Sequence, residues 1–96
     1  MSKIKLGTNI PVSVLKEGRR FVVYSPALDL STSGRTYNEA KKRFGEIVVI
    51  FFEELLKKNT LEEALKELGW KKIGSKLMPP VVVSQEYQTI KVPAQV

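Results

Sequence analysis

The segment from Ser33 to Lys58, SGRTYNEAKKRFGEIVVIFFEELLKK, constrains the fold of this chain more than any other. Gly34 breaks the preceding run, and Thr36 with Glu39 forms a capping box. In that arrangement each side chain satisfies a backbone donor that the first helical turn leaves orphaned. A helix is therefore predicted to start at Thr36. From there Ala40, Phe44, Ile47, Phe51 and Leu55 recur at steps of three and four, the spacing that lines one helical face.

Val48, Val49, Ile50, Phe52 and Leu56 widen the apolar surface to roughly two-thirds of the circumference, well beyond the stripe of about 100° on a one-sided surface helix. A single sheet cannot cover it all. The remainder must meet other parts of the chain, a second subunit or a different protein. The rival reading makes residues 47–52 a buried strand, because β-branched and aromatic residues dominate there. The helix is preferred because both flanks keep helical spacing and end in Glu and Lys.

Before this helix, Ile10, Val12 and Val14 alternate with Pro11, Ser13 and Leu15, the period-two signature of a half-buried strand, with the proline placing it at an edge or a strand start. Residues 1–9 read as a loose arm or a short leading strand. Glu17-Gly18 is the expected turn into a second strand, Phe21-Val22-Val23-Tyr24, which makes a hairpin. Pro26 marks a bulge or an exit into Ala27-Leu28-Asp29, and a third short strand follows over 30–33. The expected order is a three-stranded meander with a helix across one face, an α+β arrangement that buries a sheet face and a helix stripe together.

After Asn59, Thr60 and Glu63 form a second capping box, and Leu61, Ala64, Leu65 and Leu68 make a stripe that Gly69 ends, predicting a short helix over 60–68. Trp70 is expected behind its C-terminus, with Lys71 and Lys72 near the negative end of the helix dipole. Residues 73–78 read as a short strand closed by Pro79-Pro80. Residues 81–83 and 86–92 are rich in strand formers. This tail either adds a strand to the sheet or reaches across to another subunit.

The 96 residues amount to one domain, small enough that oligomerisation would help it. Cysteine and histidine are both absent, which excludes disulfides, thiolate zinc sites, cysteine nucleophiles and the usual general base near neutral pH. No cofactor is implied. The start carries no secretory signal and nothing approaches the length of a membrane span, so a cytoplasmic protein without membrane contact is expected. A net charge of +6 favours anionic partners in a general, non-specific way.

The run from Tyr24 to Ala40, preceded by a hairpin and followed by an apolar helix, resembles the HicB-like antitoxin family. Pro26, Leu28, Gly34, Thr36, Glu39 and Ala40 fill the family positions, and the match covers about residues 10–58. The resemblance implies a partial ribonuclease-H-like fold without catalytic carboxylates. It also implies a non-enzymatic role: covering a small HicA-type toxin that cleaves messenger RNA. Arg35 stands where the family often has an acidic residue, and nothing after Trp70 reads as an operator-binding module. Asp29 is the only aspartate, and helical glutamates such as Glu53 and Glu54 read as solvated partners of lysines.

The candidate contacts for a homodimer or a partner are Val49, Ile50, Phe52, Tyr87 and Ile90. The alternative function is a small basic nucleic-acid-binding protein, with Arg19, Arg20, Arg35, Lys41, Lys42 and Arg43 as a phosphate-contacting patch beside Phe21 or Tyr37. An enzyme would have to be a divalent-metal nuclease built from Asp29 and helix glutamates.

Overall fold

A computed structural model describes residues 9–94; the expected arm or leading strand over 1–9 lies outside them except for Asn9. The element order is β1 (Ser13–Glu17), β2 (Arg20–Ser25), β3 (Leu30–Gly34), α1 (Tyr37–Lys57), α2 (Leu61–Glu67), β4 (Lys71–Ile73) and β5 (Lys76–Met78). Strands β1-β2-β3 form an antiparallel meander, and β4-β5 form a separate two-stranded hairpin. The fold is α+β, as the hydrophobic pattern predicts, and 47–52 is helix, not strand.

The first strand begins three residues later than the alternation indicates and runs to Glu17. The turn sets that end. Gly18 and Arg19 are its only two residues, with Glu17 opposite Arg20, and the positive φ falls at Gly18. Glycine is favoured at the first central position of such hairpin turns. The resulting register puts Val14 opposite Val23 and Ser25 opposite Leu30. Val14, Phe21, Val23 and Leu30 thereby share the face that packs on α1, where Ala40 and Phe44 are buried. At the end of β3, a Cβ on Gly34 would lie 2.6 Å from the Ala40 nitrogen, so glycine permits the close approach of strand and helix start.

At the start of α1 the capping box forms by half. Thr36 Oγ1 accepts from the Glu39 amide at 3.0 Å, but the Glu39 carboxylate turns to Arg43 instead of reaching back. The second box does not form at all. Asn59 adopts φ 56, the Asn59 amide donates to Leu56 O, and the Thr60 amide donates to Leu55 O. These two bonds are a Schellman motif ending α1. Thr60 is thus both the third residue after one helix and the first before the next. Its backbone, at φ −121 and ψ 14, is not the extended form in which a threonine side chain caps. The same motif recurs after α2, with Gly69 at φ 95 and the Trp70 amide on Leu65 O.

Beyond the sheet, a second cluster continues the core. Ala27, Leu28, Leu65 and Trp70 are buried, with Phe51, Phe52, Leu61 and Leu77 packed around them. Leu30 and Val48 belong to both clusters and join them. Trp70 Nε1 donates to Ala27 O at 2.8 Å, tying the chain after α2 to the loop between β2 and β3. One expectation fails here, and one of the two alternatives for the tail is closed. Residues 73–78 are not one strand, because Gly74, at φ 64, turns the chain into the β4-β5 hairpin. Among the described residues the tail adds no strand to either sheet; Pro79 and Pro80 lack the amide needed to continue a ladder.

Two buried groups make opposite predictions. Trp70→Phe leaves the Ala27 carbonyl without its donor and should lower unfolding free energy by about 1–3 kcal/mol. Ser25 is fully buried and its Oγ has no hydrogen-bond partner among the described residues. Ser25→Ala should therefore hold or raise stability. Urea midpoints of both variants check the pair; equal losses would refute the assignment.

Candidate interaction surfaces

The apolar excess of α1 divides between core and exterior. Gly45, Val49, Phe52 and Leu56 follow one another at steps of four, three and four, and so lie along one flank. Phe52 turns inward to the cluster of Leu65 and Trp70, in edge contact with Phe51 at 5.4 Å. Val49 stays 55% exposed and Leu56 62%. Ile50, also exposed, lies about 100° further round the helix than Val49. Of the helix residues predicted to meet a partner, Val49 and Ile50 are at the surface, whereas α2 and Trp70 cover Phe52 within the chain. Leu56 is an exposed residue that belongs with them; its four-three-four spacing from Gly45 is the signal.

This exterior has its own charge. From Glu46 to Leu56 there are three glutamates and no lysine or arginine, although the chain as a whole is +6. Glu54 pairs with Lys58 at 3.4 Å one turn on. The middle of α1 is thus apolar and acidic. Beside its C-terminal end, Leu56, Asn59, Leu61, Glu62 and Lys66 line a shallow groove. Glu62 bridges Lys66 at 3.1 Å and Lys72 at 3.4 Å, joining α2 to β4. The hydrogen bond from Lys66, followed by the charge of Lys72, holds its carboxyl below the ordinary glutamate value.

The predicted basic patch is brought together in part. Arg20 donates from Nε and Nη2 to Ser33 Oγ, at 3.4 and 3.2 Å. Arg43 donates from Nη1 to the Ser33 carbonyl at 3.2 Å and pairs through Nη2 with Glu39 at 3.1 Å. Both guanidinium groups are engaged by their own chain. Lys41 sits 5.4 Å over the Tyr37 ring, and Lys16, absent from the sequence-based set, sits 5.7 Å over Phe21. The two rings meet edge to face at 6.5 Å. The signal for Lys16 lies in the hairpin register, which places it opposite Phe21. Arg19, Arg35 and Lys42 are exposed and make no ion pair or hydrogen bond among the described residues.

Asp29 serves a turn, at φ 50, and accepts a hydrogen bond from Tyr24 Oη at 3.4 Å. Among the described residues, no three acidic side chains gather as a metal site would require. No helix among them is long and apolar enough to cross a membrane. Tyr87 and Ile90 lie in the tail, fully exposed and 70% exposed respectively.

Lys42 and Arg43 should behave differently on charge reversal, despite adjacent positions. Arg43→Glu faces Glu39 one turn away and releases Ser33, and should destabilise by about 1 kcal/mol. Lys42→Glu should be neutral within about 0.5 kcal/mol. Denaturant titration of the two variants decides; equal effects would contradict the placement of Arg43.

Comparison with protein-family models, curated proteins and solved structures finds no match to this chain.

Proposed function

We infer that this chain is a non-enzymatic interaction protein of the HicB-like kind, which self-associates and neutralises a small messenger-RNA-cleaving toxin of the HicA type. The observation that carries the reading is the exterior of α1, where Val49, Ile50 and Leu56 stay uncovered after the core is complete. Val49 and Leu56 lie within about 20° of one another on α1, Ile50 lies about 100° round, and Glu46 and Glu53 fall between; exposed apolar side chains set among charges are what a protein contact offers. Those charges support the choice of partner. Glu46, Glu53 and Glu54 make this side locally acidic, which complements the basic surface an RNA-cleaving protein needs. The helix-start residues Gly34, Thr36, Glu39 and Ala40 agree with the family pattern in order and spacing.

Neutralisation tests this directly: the chain is added to any small ribonuclease encoded by a gene adjoining its own and RNA cleavage is followed, and the absence of such a gene would itself count against the reading. Wild type should abolish cleavage at equimolar ratio. Glu46→Lys with Glu53→Lys, both exposed, should weaken inhibition at least tenfold while leaving the thermal midpoint unchanged. Full inhibition by the variant would remove α1 as the contact, and no inhibition by wild type would overturn the reading.

A second reading, sequence-tolerant nucleic-acid binding, is favoured by one observation, the Lys16 and Lys41 ammonium groups flanking the Phe21–Tyr37 pair. On that reading Lys16→Glu with Lys41→Glu lowers the slope of log affinity against log salt by about two units. An unchanged slope on single-stranded RNA excludes it.

A further inference from the structure

The tail after Pro80 is the part of the molecule least explained by its own fold. Val81 and Val83 are 83% and 95% exposed, and Tyr87 has no cover at all. The radius of gyration is 16.6 Å, against about 12 Å for a compact chain of this length. The longest dimension is 61 Å, while α1 accounts for only about 32 Å. The tail therefore projects from the body with strand-forming side chains and an unpaired backbone.

The sheet has two free edges, and they differ. In a two-residue hairpin the residues flanking the turn exchange hydrogen bonds. Glu17, Leu15 and Ser13 therefore direct their backbone groups toward β2, and Lys16 and Val14 direct theirs outward. Continuing the alternation through β2, Ser31 and Ser33 are the outward residues of β3. Arg43 occupies the Ser33 carbonyl, so that edge is capped. Nothing among the described residues caps β1. Pro11, which has no amide hydrogen, lies ahead of β1 and outside its ladder.

We propose that residues 86–92 of one copy add to the β1 edge of a second copy as an antiparallel fourth strand, and that the exchange is reciprocal, giving a two-fold dimer. The proposal deepens the self-association in the function proposed above and rests on that part of it alone. Side-chain chemistry selects the register. With Lys16 opposite Glu86, Leu15 meets Tyr87 within β1, and the same register carried past the strand start sets Val12 against Ile90; Ile10 stays in its own core, packed on the cluster of Leu65 and Trp70. One opposite-charge pair and two apolar pairs thus form at once. Leu15 is 47% exposed and Val12 37%, so both have surface to lose. In this register Leu15 and Tyr87 form a non-hydrogen-bonded pair, the kind in which Cα atoms lie about 4.5 Å apart.

The absence of cysteine makes the test direct. Leu15→Cys and Tyr87→Cys, prepared as separate full-length proteins, are mixed and oxidised; the pair geometry lies within disulfide reach. The mixture should yield covalent dimer at least about tenfold faster than either variant alone. A doubly substituted chain that closes its disulfide internally would overturn the proposal, because the tail would then pair with its own β1. Dimers by light scattering without the cross-link would overturn strand exchange and leave self-association standing; a monomer would overturn both. As a second readout, Lys16→Glu should weaken the dimer about threefold and Glu86→Lys should restore it. Failure of the reversal to restore affinity would also count against this register.

Discussion

A helix of 21 residues is about 32 Å long, whereas strands of five or six residues span about 17–20 Å. Laid on β1-β2-β3, α1 overhangs the sheet by roughly two turns. The rest of the architecture answers that mismatch. Over the sheet, Ala40 and Phe44 meet Val23; past its end, Phe51 and Phe52 need a second partner and find it in Leu65 and Trp70. The Trp70 to Ala27 hydrogen bond closes the arrangement, binding the chain after α2 to the loop that leaves β2. Two Schellman motifs, at Asn59 and Gly69, supply the reversals that return the chain there.

The mismatch also explains what remains outside. α2 is only seven residues long and covers one side of the overhang. Val49 and Leu56, to either side of Phe52 on the flank that α2 covers only in part, and Ile50, about 100° further round, stay at the surface. The proposed partner-binding role follows from this residue of uncovered helix, and the proposed strand exchange follows from a tail the small body has no room to pack. The two surfaces are separate. One is a helix flank with an acidic rim, and the other is a sheet edge with unpaired backbone, so self-association and partner binding need not compete.

Much of this was legible in the sequence because the governing interactions are local. The Thr36 cap, the three-and-four spacing from Ala40 to Leu55, and the Gly69 stop each act within a few residues and read directly as elements. What was not legible depends on geometry between elements. The failed cap at Thr60 arises because the preceding Schellman motif already dictates its backbone, and Asn59 as a left-handed stop was the overlooked sign. Gly74 was likewise a turn within what reads as one apolar strand. For the candidate surfaces, spacing alone placed Val49, Ile50 and Phe52 together; only the position of α2 separates Phe52 from the others. The basic cluster depended on hairpin register, which brought in Lys16 and tied Arg20 and Arg43 to Ser33.

The central claim is that this chain leaves apolar surface that only association covers. Size-exclusion chromatography with light scattering, at low and at high salt, tests it most directly. Apolar burial and backbone pairing resist screening, unlike contacts between exposed charges. Twice the chain mass, unchanged between the two salt conditions, is the expected result. A single-chain mass at every concentration and salt would contradict it.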